Sequence, residues 1–152
     1  MVQKGGKVIA SGGFGCIFKP SLKCVNVEKS PNNISKLMTI KHSTEEYNQI
    51  QNLKETLQNI PNYNKYFLVD GFTLCKPDKL TKEDLEKFNS KCSALKKEKI
   101  KEKNINNNLD SLLAINMPYG GIDIIKYISL HKNGNEIIKL NNLLMDLLVY
   151  GI

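Results

Sequence analysis

Three glycines, one lysine and one glutamate hold the chemistry that can be read from this chain. Gly12, Gly13 and Gly15 lie in the stretch IASGGFGCIFKP, residues 9–20, between two apolar runs. Glycine lets the main chain come close to a ligand, and the exposed amides of such a turn can bind phosphate oxygens. Lys36 follows in another apolar run, NNISKLM, and offers an ammonium to the same anion. Glu46 comes next, in a helical pattern. At about 100° per residue it lines up with Ile50, Leu53 and Leu57. A carboxylate on that apolar stripe is costly without a partner, and Lys36 is the natural one. Glu46 also fits a capping box opened by Ser43. The residues alone leave both roles open.

The elements that must position these groups follow from period and punctuation. Val8 and Ile9 before the glycines, and Cys16, Ile17 and Phe18 after them, predict two strands joined by a tight turn. Residues 34–40 return to strand character. Ser43-Thr44-Glu45-Glu46 predicts the start of a helix with Tyr47, Ile50, Leu53 and Leu57 on its apolar face, closed by Ile60-Pro61. Residues 66–74 read as a strand broken at Gly71. Thr81 to Asp84 predicts a second capped helix, with Leu85, Phe88, Cys92 and Leu95 inward and a charged, solvated end over 96–103. Residues 104–108 read as a polar loop. Residues 112–117 form a continuous apolar strand, Pro118 to Gly121 a turn, 122–130 a helix, and 140–150 an amphipathic helix rich in leucine.

Composition narrows the classes. With 152 residues, 41% of them apolar, the chain has the material for a folded domain. Its formal net charge is +7, and every basic residue is lysine. Without arginine, bidentate reading of base edges is disfavoured, so no specific nucleic acid partner is expected. Cys16, Cys24, Cys75 and Cys92 show no CxxC pair, which predicts four reduced thiols in a cytoplasmic protein rather than a zinc site. No apolar run reaches the length of a membrane span, and the start shows no signal peptide pattern, so no membrane partner is expected.

Among phosphate-binding turns, a Walker A loop needs Gly-Lys-Ser/Thr, but Gly15 is followed by Cys16-Ile17. A dinucleotide turn must open a helix, whereas here the glycines lead into a strand-like run that ends at Pro20. A strand–turn–strand remains. It resembles the glycine-rich loop of protein kinases, G-x-G-x-x-G-x-V. Ala10 stands at the first glycine, Gly12 at the second, Gly15 at the third and Ile17 at the valine, with Phe14 at the loop tip. SKLM resembles the strand that carries the V-A-I-K lysine, and LAINMPYGGIDI resembles the fifth strand and hinge.

That resemblance implies an α+β fold: a kinase-like small lobe over 1–119, with a twisted antiparallel sheet, a packed helix and an inserted helix near 81–103. A hinge and the start of a second lobe would follow over 120–152. It implies ATP binding, with Mg if the second lobe is supplied. Ile9 and Ile17 would cover adenine, and Gly12, Gly13, Phe14 and Gly15 would lie over the phosphates. Lys36 would pair with the α- and β-phosphates, oriented by Glu46. Ile115 is the candidate gatekeeper, the backbone around Met117 would meet the adenine edge, and Asp123 would approach the ribose. The closing MDLLVYGI resembles the helix ahead of the catalytic loop. The whole set resembles kinase-like proteins of large DNA viruses, which would place the chain in host cytoplasm or virion.

H-R-D-x-x-x-x-N and D-F-G are missing, so no catalytic or metal-holding residue is assigned. The expectation is a truncated or split Ser/Thr kinase, inactive alone. A non-catalytic, pseudokinase-like interaction module is the alternative, and an unrelated basic α+β domain a third reading. The partner would be nucleotide, and beyond it a protein or the absent lobe. The leucines of the last helix, if left exposed, would favour self-association.

Overall fold

A computed structural model of the chain describes residues 6–26, 30–131 and 133–150. The readings of the chain start and of the closing Gly151-Ile152 fall outside the described residues.

Alternating apolar residues with few breakers give five strands: β1 (Lys7–Ser11), β2 (Gly15–Lys19), β3 (Asn33–Thr39), β4 (Thr73–Cys75) and β5 (Leu112–Pro118). They form one antiparallel sheet in the order β1-β2-β3-β5-β4. Helix α1 (Ile40–Leu57) follows β3 directly. The fold is α+β, as expected.

Strand residues alternate between faces, and the register assigns them. Val8, Phe18, Cys16, Ser35, Leu37, Ala114 and Asn116 share one face. All are buried, and Leu22, Leu80, Phe88, Leu95 and Ile105 pack into the same core. Ile17, Lys36, Met38, Ile34, Ile115 and Met117 share the other face. There Met38 and Ile115 are fully buried, whereas Ile17, Ile34, Lys36 and Met117 remain half-buried.

The inserted segment is not one helix. Thr81 and Asp84 do form the reciprocal cap: Thr81 N–H and Oγ donate to the Asp84 carboxylate, and Asp84 N–H donates to Thr81 Oγ. Turns follow instead of a helix, and Lys87 takes a left-handed φ of 64°. Two short helices then appear, α2 (Phe88–Lys91) and α3 (Ser93–Lys97), separated at Cys92. Asp84 is buried and also accepts from Gly6 N–H at 2.7 Å, so the cap serves tertiary structure. Residues 104–108 are not a plain polar loop either. Ile105 begins a 3₁₀ turn and is fully buried in the core.

The cysteines are paired, not reduced. Cys16 is bonded to Cys92 and Cys24 to Cys75, with Cα atoms 5.3 and 6.0 Å apart. Both distances are ordinary for disulfides. The partners lie 76 and 51 residues apart, far outside any short motif.

Helix α1 begins at Ile40, not Ser43, and ends at Leu57, before the Ile60-Pro61 stop. Ser43 is buried inside the first turns, and its hydroxyl donates back to Thr39 O at 2.8 Å and Ile40 O at 3.0 Å. Leu53 is half exposed, so the apolar stripe is only partly used. Lys54 on α1 pairs with Asp70 at 2.7 Å, and that bond raises the lysine pKa. Of the strand expected over 66–74, only Thr73 and Leu74 are extended, with Cys75. A 3₁₀ turn at Tyr63–Lys65 and the left-handed Asn62 and Gly71 occupy the stretch before it.

Beyond β5 come α4 (Ile124–Leu130) and α5 (Gly134–Tyr150). Asp123 caps α4, accepting from Lys126 N–H at 2.8 Å. Lys65 ties α5 to the first part of the chain through Asp146 at 3.2 Å. Ile125, Leu130, Ile138, Leu143, Met145, Leu148 and Val149 are exposed on these helices. Among the described residues no helix is long and apolar enough to cross a membrane.

Candidate functional site

The site is built on the half-covered face of the sheet. Ile17 on β2 lies opposite Lys36 on β3, which lies opposite Ile115 on β5. Helix α1 leaves β3 and turns back over this face, which brings Glu46 to Lys36. The ammonium reaches both carboxylate oxygens, at 2.7 and 2.5 Å. The two side chains retain 20% and 29% of their exposure, so the pair is sheltered but not sealed. Because the helix starts at Ile40, Glu46 is past the capping position and is free for this contact. An ammonium has three donors, so one remains for an anion beside Glu46.

The glycine turn sits at the end of the β1–β2 hairpin. Ser11 and Cys16 form its last strand pair, and Gly12 N–H donates to Gly15 O at 2.9 Å. The three glycines are used differently. Gly13 is exposed, and a Cβ there would meet nothing. Gly15 is buried under β3, where a Cβ would lie 2.3 Å from Met38 Cγ and 2.8 Å from Leu37 O. Close packing therefore requires Gly15. None of the three has a positive φ; the left-handed glycines among the described residues are Gly71 and Gly121.

Phe14, at the tip, is 60% exposed yet stacks on His42 of α1, with ring centroids 4.4 Å apart. His42 Nδ1 lies 3.6 Å from Glu45. Phe14, His42, Glu45, Glu46 and Gln49 line a space of about 210 Å³ between turn and helix. Ligand pockets for small molecules usually start near 300 Å³. The sequence offered no sign of the Phe14–His42 contact.

The remaining candidates lie around this centre. Ile9 is half-buried at a bulge, where the register steps from Val8–Phe18 to Ala10–Ile17. Met117 is half-buried opposite Ile34. Strand β4 stops at Thr73 opposite Asn116, so on that side β5 has no strand partner at Met117 and Pro118, which pair only with β3. Gly71 packs there instead, and a Cβ on it would lie 3.1 Å from Pro118. Asp123, expected near a ribose, is engaged as the α4 cap. The geometry thus gathers Ile17, Lys36, Ile115 and Glu46, sets the glycine turn at the end of the same hairpin, and puts Ile9 and Met117 at the margins. Among the described residues no group of three or more His, Cys, Asp or Glu is placed to hold a metal.

No protein-family model, curated protein or solved structure matches the chain. The class defined by its own architecture is an α+β protein with a five-stranded antiparallel sheet.

Proposed function

We propose that residues 6–118 are a nucleotide-binding small lobe like that of Ser/Thr protein kinases, taking ATP, with Mg where the second lobe is supplied. The observation that carries this reading is the Lys36–Glu46 contact on a half-covered apolar face, at the foot of a glycine hairpin. Lys36 would meet the phosphates with its remaining N–H, held in place by Glu46. Ile9 and Ile17 would lie over the base, with Ile115 behind it and Met117 at its edge. Gly12 and Gly13 would face the phosphates, and Phe14 would swing off His42 to admit them. Phosphoryl transfer needs positioning and charge neutralisation beyond one lysine. The exposed apolar side chains of α4 and α5 support a protein partner or second lobe that covers them. Cytoplasmic residence belongs to the same proposal. Burial of both Cys16 and Cys92 would shield that disulfide from reductant there.

A thermal-shift titration with ATP and Mg tests the reading. The expected result is a dose-dependent rise in Tm that Lys36→Ala abolishes. No shift at millimolar nucleotide would defeat it. The second reading, a non-catalytic interaction module, is favoured by the closed Phe14–His42 stack and the small space behind it. That reading predicts no nucleotide shift, but an unchanged fold in Phe14→Ala.

A further inference from the structure

The inserted segment reaches the glycine turn through four separate contacts, all between residues 91–94 and the base of the hairpin. Cys92 is bonded to Cys16, one half of the strand pair that closes the turn. The other half, Ser11, accepts from Ala94 N–H at 3.0 Å, and its hydroxyl lies 3.2 Å from Ser93 Oγ. Lys91 Nζ donates to Ile9 O at 3.4 Å, at the bulge. Both strands of the hairpin are therefore gripped at the point where the turn leaves the sheet. The grip comes from the sealed face, opposite Lys36. Cys16 and Cys92 are fully buried, so thiolate attack on this bond in the folded chain is obstructed. It acts as a permanent brace, not a switch.

We propose that Ser11, Cys16, Cys92 and Ala94 are positioning residues that fix the glycine turn for nucleotide, a role that rests on the nucleotide reading above. Without the brace the turn is held by the single Gly12–Gly15 backbone bond and the tip stack on His42, with Gly15 alone anchored by its pairing and packing on β3. The second disulfide is the natural control. Cys24–Cys75 closes a loop of similar size, 51 against 76 residues, so its removal costs comparable stability. Yet it ties β4 to the segment after β2 and touches Asn116, away from the turn.

The test compares amide hydrogen exchange at Gly12–Gly15 in three full-length variants. The double variant Cys16→Ser/Cys92→Ser should exchange at least tenfold faster there than the parent. Cys24→Ser/Cys75→Ser should leave these amides within twofold of the parent. Ser11→Ala keeps both disulfides and should show a several-fold acceleration confined to the turn, which decides the matter if either double variant fails to fold. Equal exchange at the turn in the parent and Ser11→Ala, or equal acceleration in both double variants, would overturn the brace. ATP affinity is measured alongside and should fall at least tenfold in the Cys16/Cys92 variant, by less in Ser11→Ala, and not in the Cys24/Cys75 variant. If the parent binds no ATP the nucleotide reading fails, while the exchange rates still decide the brace.

Discussion

The two faces of one sheet have been put to opposite uses. The face of Val8, Phe18, Leu37 and Ala114 is sealed by the insert, which supplies Phe88, Leu95 and Ile105 to a shared core and closes over two disulfides. The face of Ile17, Lys36, Ile34 and Met117 is covered by α1 at Met38 and Ile115 and left half-open elsewhere. The same strands build both, because alternate residues point to opposite sides. One face can thus be optimised for burial while the other keeps a charged pair and accessible apolar surface. A sheet covered equally on both sides would have no such room.

That comparison can be broken most directly from the sealed side. Phe88 is fully buried, and Phe88→Ala should destabilise the fold by about 4 kcal/mol. Denaturant titration would measure the loss. The surviving folded fraction, with the Cys16–Cys92 bond intact, should still show the ATP-dependent rise in Tm; if the rise vanished while folding persisted, the open face would depend on the packing of the insert as well as on that bond. A smaller effect is expected where they meet. Gly15→Ala must push a Cβ against Met38 and the Leu37 carbonyl, at a cost of about 2 kcal/mol. Calorimetry should record that loss; an unchanged Tm would mean that the hairpin does not pack on β3 as described. The smallest stability effect belongs to the open face. Glu46→Gln weakens a partly solvated pair, costing about 1 kcal/mol by chemical denaturation, yet should remove most of the nucleotide-dependent Tm rise. A large loss of stability instead would make the pair a structural tie.

Much of the open face was legible in the sequence because it depends on local period. The hairpin follows from two apolar runs around glycines, and Glu46 from its place in line with Ile50 and Leu57. The helix starts three residues before the point that the sequence pattern implies, because Ser43 fits a cap pattern but bonds back into its own helix. The cap at Thr81 formed, and the helix expected after it did not, since Asp84 is drawn into the core to receive Gly6 N–H. The sealed face was largely hidden. Its disulfides join residues 76 and 51 positions apart, and nothing in a CxxC search sees that. The turn pattern alone does not show that Gly15 is also required by its close packing on Met38. Asp123, expected at a sugar, is a helix cap.

The linkage between Cys16 and Cys92 also decides what a cut in the insert would do. Lys82 and Lys87 stand exposed on the stretch between Cys75 and Cys92. Cleavage after either would leave Cys16, Cys24 and Cys75 on one fragment and Cys92 on the other. The nicked chain would stay in one covalent piece, its halves parting only after unfolding and reduction.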